Sequence, residues 1–133
     1  MSRQTKFIEL KNIFEILHGP KGCLWDKEQT HMSLIKYLRE ESGEFIDTVK
    51  SNKYAHMKEE LGDLLLQVMF HAQIAKKKGK FDIEGVIDSL VKKLKRRHPH
   101  VFGNVKVRSV QEIKDNWDNI KKLEKKQKTS ATA

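Results

Sequence analysis

The sequence predicts an all-α fold. Apolar residues recur at intervals of three and four along almost the whole chain, and no alternating apolar pattern is strong enough to demand a sheet. The breaks between those runs carry helix stops such as Gly19-Pro20 and Gly79. At 133 residues there is room for one ordinary hydrophobic core, so a single domain of about five helices is expected over residues 1–124.

The first helix rests on Phe7, Leu10, Phe14 and Leu17 and stops at Gly19-Pro20. A loop should follow to about Thr30, which suits an N-cap for a second helix reaching Lys50 on the stripe Leu34, Leu38, Phe45 and Val49. After a turn at Ser51-Asn52-Lys53, a third helix from Tyr54 to Lys78 is apolar on nearly every side, which argues for a central position or a subunit interface. Asp82 is read as the cap of a fourth helix, whose inner face is Ile83, Val86, Ile87, Leu90 and Leu94. That helix should give out near His98, because Pro99 disfavours helical geometry in the residue before it. Ser109 and Glu112 match the capping box of a fifth helix, with Val110, Ile113, Trp117 and Ile120 inward. Beyond Glu124 nothing is left to bury, and residues 125–133 are expected to form a basic disordered tail.

Charge is distributed unevenly. The chain carries 27 Lys and Arg against 18 Asp and Glu, a net +9, yet residues 1–75 sum to −1 and residues 76–133 to +10. No run of about 18 apolar residues is present to span a membrane. The N-terminal stretch lacks the apolar core of a secretory signal, and the single cysteine, Cys23, allows no internal disulfide, so a cytoplasmic address is expected. The basic excess is compatible with nucleic acid, an anionic surface or phosphorylated small molecules.

Two acidic pairs narrow that choice. On the second helix Glu41 falls inside the apolar stripe and Glu44 sits at its edge, whereas Glu40 points away. On the third, Glu60 and Asp63 lie three apart in EELGDLLLQVMF, with Asp63 among leucines. Paired glutamates on helices are ordinarily solvated, but burying ionised carboxylates demands neutralisation, a salt bridge or a metal. Four of them facing one another would repel, and a hard divalent cation such as Mg²⁺ or Mn²⁺ removes the repulsion. The second constellation is KKLKRRHPH, where Lys93 and Arg97 share a face at i, i+4 and Lys93 and Arg96 at i, i+3, able to converge on phosphate oxygens. Trp117 alone reads as a core residue, His71 as a hydrogen-bonded core histidine, and Cys23 as loop packing.

The run GCLWDKEQT (22–30), EESGE (40–44), EELGDLLLQVMFHAQIA (59–75), KLKRRHPHVFG (93–103) and WDNIK (117–121) together resemble MazG-type nucleoside triphosphate pyrophosphohydrolases over about residues 7–124. The resemblance implies an all-α protein that binds Mg²⁺ through an EExxE plus ExxD signature. It implies cleavage between the α and β phosphates of a nucleoside triphosphate, giving a monophosphate and pyrophosphate, and a homodimer whose helices complete a four-helix bundle. On that basis Glu41, Glu44, Glu60 and Asp63 are the expected metal ligands, and Lys93, Arg96, Arg97, Trp117 and Lys121 the expected substrate contacts. Leu24 stands where relatives commonly have proline, and Arg39 where they commonly have an apolar residue before the acidic pair; neither removes a ligand.

The expected chemistry is metal-assisted attack of water on phosphorus, with Glu40 or Glu41 accepting the proton and no covalent nucleophile. A nucleic-acid-binding protein would use the basic half but leave the acidic pairs unexplained. A helical di-iron protein wants Glu-x-x-His on two helices, where this chain has Glu44 and Asp63.

Overall fold

The computed structural model describes residues 5–132. Among them are seven helices and no strands: α1 (Lys6–Leu17), α2 (Leu24–Glu28), α3 (Ile35–Lys50), α4 (Tyr54–Lys77), α5 (Ile83–Arg97), α6 (Pro99–Phe102) and α7 (Val110–Thr132). The all-α class is as expected. The helix count is higher than five, and the chain divides into two compact units, one ending at Ile83 and one beginning at Glu84, where the sequence suggested one body.

In the first unit Thr5 caps α1, its hydroxyl accepting the Ile8 N–H at 3.2 Å. The chain then folds tightly back on the end of α1. Cys23 N–H reaches the Leu17 carbonyl at 2.8 Å, and a Cβ at Gly22 would lie 2.0 Å from that same oxygen, so only glycine permits the approach. The predicted loop therefore contains α2, a helix too short to show a period, which carries Trp25 edge-on to Tyr37 and Phe70. Thr30 does cap, but what it caps is a single turn. Its hydroxyl accepts from Ser33 N–H at 3.0 Å while the Ser33 hydroxyl accepts from Thr30 N–H at 2.9 Å, and α3 proper starts at Ile35.

Helices α3 and α4 form the main packed pair, joined by a turn in which Asn52 adopts φ 56°, a left-handed geometry that asparagine tolerates. Helix α1 packs on α4, and Lys76 pairs with Glu15 across them. The core is Phe14, Leu34, Met69, Phe70 and Ile74, with Phe7, Leu10, Tyr37 and Ile83 against it. Burial on α4 is confined to its C-terminal half. Leu61, Leu65, Leu66 and Val68 stay 41–51% exposed, so the helix expected to be covered on most sides is bare along one stretch in the single chain.

In the second unit Pro99 takes the first position of α6, where a missing N–H costs nothing. The Ser109 hydroxyl accepts the Glu112 N–H at 3.2 Å, and Glu112 reaches back to the Arg108 N–H at 2.7 Å, a capping box displaced by one residue. The tail expected to be disordered continues α7 as far as Thr132. Glu124 to Lys128 contains strong helix formers and neither glycine nor proline, so propensity carries the helix on without burial.

Candidate metal centre and basic groove

Four carboxylates meet between α3 and α4. Because the two helices run antiparallel from a short turn, residues one turn apart on each come opposite each other, and Glu41, Glu44, Glu60 and Asp63 each offer an oxygen lying within 4.8 Å of the others. Glu41 faces Asp63 and Glu60 faces Glu44. Glu40, one residue away, is exposed on the outer side of α3.

The electrostatics of the cluster are those of a site short of positive charge. Burial, and then the charges of Glu44, Asp63 and Glu60, push the Glu41 carboxyl up to about 7. Burial and the neighbouring Glu44 also raise Glu60. One carboxyl oxygen of Glu41 and one of Glu60 are buried with no hydrogen-bond partner. Orphaned anionic oxygens of this kind are costly unless a cation meets them. The all-oxygen donor set is the kind a hard metal ion takes, so the cluster could hold one.

The predicted substrate contacts all lie in the second unit. Lys93, Arg96, Arg97 and Lys121 line a groove of ≈ 750 Å³ between α5 and α7, with Lys92 and Lys122 beside them. Trp117 is placed differently. The Arg97 guanidinium carbon sits 5.3 Å from its ring centroid, and the His98 ring meets it edge-on at 5.0 Å, so the indole packs against two cationic or ionisable side chains.

Sequence reasoning missed two features. Glu124 grips both arginines of the groove, with Arg96 Nε 2.6 Å from Oε2 and Arg97 Nη2 2.8 Å from Oε1. Its spacing from Trp117 and Lys121, seven and three residues, was the available signal, since it puts the three on one face of α7. The partner of His71 is His31, their Nδ1 atoms 2.7 Å apart and their rings nearly parallel. Burial, and then His31, depress the His71 pKa.

A family model described as the MazG nucleotide pyrophosphohydrolase domain matches residues 29–102, a span that holds all four carboxylates and Lys93 to Arg97 but not Trp117, Lys121 or Glu124. The chain is 51% identical over 125 residues to the nucleoside triphosphate pyrophosphohydrolase/pyrophosphatase MazG of Thermotoga maritima, covering 94% of this chain and 48% of that protein. It is 39% identical over 125 residues to the nucleoside triphosphate pyrophosphohydrolase of Escherichia coli K12, covering 93% and 48%. It is 48% identical over 120 residues to the protein YabN of Bacillus subtilis, covering 90% and 24%. The chain thus spans about a quarter to about a half of the length of these relatives. Among solved structures, that of a mazG-related protein from Thermotoga maritima superposes with a TM-score of 0.68 at 30% identity, over 85% of this chain and 96% of that one.

Proposed function

The chain belongs to the MazG nucleotide pyrophosphohydrolase domain family, and on that premise we propose that it hydrolyses nucleoside triphosphates to a nucleoside monophosphate and pyrophosphate with Mg²⁺ bound by Glu41, Glu44, Glu60 and Asp63. The observation that carries the reading is the convergence of four carboxylates within 4.8 Å, two of them with a buried oxygen that nothing in the chain satisfies. When bound, Mg²⁺, or Mn²⁺ in its place, would offset phosphate charge and acidify a water molecule.

The remaining work falls to the chain. Glu41 and the exposed Glu40 are the candidates to accept the proton of the attacking water at a carboxylate oxygen. Lys93, Arg96, Arg97 and Lys121 supply cations for phosphate oxygens, and Trp117 backs Arg97. A homodimer is part of the same proposal, supported by the apolar residues left bare on α3 and α4.

Glu41→Gln and Asp63→Asn test the reading. Each should lower pyrophosphate release from a mixture of triphosphates with Mg²⁺ by at least about a hundredfold, and chelation of divalent metal should do the same to the unaltered chain. Turnover that survives both substitutions removes the metal site.

A further inference from the structure

The basic groove holds one acid for which the proposed reaction has no use. Glu124 is engaged by two guanidinia at once. Arg96 donates its Nε–H to Oε2 at 2.6 Å, and Arg97 donates from Nε and Nη2 to Oε1 at 3.3 and 2.8 Å. The side chains of Glu124 and Arg97 are only 15% and 16% exposed, so solvent does little to weaken the contact. The Arg97 guanidinium also lies over Trp117 at 5.3 Å, and Trp117 meets His98, whose Nδ1 lies 2.6 Å from the Leu94 carbonyl oxygen.

Two guanidinia on consecutive residues of α5 repel, and each carries several rotatable bonds. Left alone they would separate and sample many positions, and a ligand would have to order them on arrival. Glu124 removes both difficulties while using few donors. Each guanidinium has five N–H groups, and Glu124 takes Nε of Arg96 and the Nε, Nη2 edge of Arg97. Both terminal nitrogens of Arg96 and Nη1 of Arg97 are not spent on the carboxylate, and the two arginines line the groove that Lys92, Lys93 and Lys121 also border.

We propose that Glu124 is a positioning residue for polyphosphate: it clamps Arg96 and Arg97 into a fixed double fork whose outer N–H groups take phosphate oxygens. This rests on the assignment of the basic stretch to substrate phosphate. The sign of the effect of removing Glu124 decides the matter. Coulomb's law alone says that deleting an anion from an anion-binding groove tightens phosphate binding. A clamp says that deleting it loosens binding, because two arginines become free to move.

The experiment is calorimetric titration of inorganic tripolyphosphate, without divalent metal, into the full chain carrying Glu124, E124A, E124Q or E124D, alongside steady-state pyrophosphate release with Mg²⁺. The clamp predicts about tenfold weaker tripolyphosphate binding by E124A and E124Q, a similar rise in KM and a kcat changed by less than about threefold. E124D should recover most of the loss, since it restores the charge-assisted contact. Binding by E124Q that equals or exceeds that of the unaltered chain overturns the proposal, and this near-isosteric variant decides it even if E124A does not fold. An unaltered chain that binds tripolyphosphate yet releases no pyrophosphate from triphosphates sinks the hydrolase reading separately, leaving the clamp to stand or fall on the binding data.

Discussion

Glu41 and Glu124 are both glutamates on helices, yet their surroundings drive them in opposite directions. Burial, and then three neighbouring carboxylates, lift Glu41 to about 7, while the hydrogen bonds of Arg96 and Arg97 hold Glu124 down at about 2. The second value has a consequence for stability. The ordinary value is 4.5, so a proton binds the unfolded chain more tightly than the folded one; the stabilisation is complete above pH 4.5 and is lost as pH falls toward 2. Acid titration followed by circular dichroism should therefore show the second unit weakening across that window, and E124Q should flatten the response while lowering stability at neutral pH. Glu41 was legible in the sequence, whereas Glu124 carried only the weak signal of a helix face shared with Trp117 and Lys121. An acid lodged among leucines advertises itself on a helical wheel, whereas Glu124 sits among lysines, where a solvated charge is the ordinary expectation, and its partners are 27 and 28 residues away in the chain.

At the scale of the element, the long amphipathic helices were readable because each has several turns of apolar period, and α4 in particular lies within a residue of its expected bounds. The short helices were not. Neither α2, with five residues, nor α6, with four, completes enough turns to show a period, and α2 has no side-chain cap to announce it. The end of α7 departs from the expected tail for a different reason: a segment with nothing to bury still continues as helix where its residues are strong helix formers. Because residues 125–129 are exposed, removing 126–133 should cost helical signal without cost to the packed units. The expected shift in melting temperature is under about 2 °C, and a scanning calorimetry comparison checks it; a larger drop would mean that the last turns bear on a core after all.

For the molecule as a whole, the question is what covers its apolar surface. Leu61, Leu65 and Val68 recur at i, i+4 and i+7 on α4, and Ile35, Leu38, Ile46 and Val49 lie within one face of α3; all are more than a third exposed. Stripes like these on two packed helices match the half of a bundle that a second copy would complete, as proposed above. Equilibrium sedimentation should find a dimer, and Leu65→Glu should shift it toward monomer by at least about tenfold in dissociation constant, because a charge would then be desolvated in the interface. No helix among the described residues is long and apolar enough to cross a membrane.

The histidine pair ends with an asymmetry that the sequence gives no hint of. Wherever both imidazoles are neutral, the Nδ1 pair 2.7 Å apart has one hydrogen between its nitrogens, so one ring is the donor and the other the acceptor. The donor ring then has a bare Nε2, and the acceptor ring carries its hydrogen on Nε2. His31 and His71, chemically identical as residues, thus turn unlike far edges to their surroundings, one able only to receive a hydrogen bond and the other only to give one.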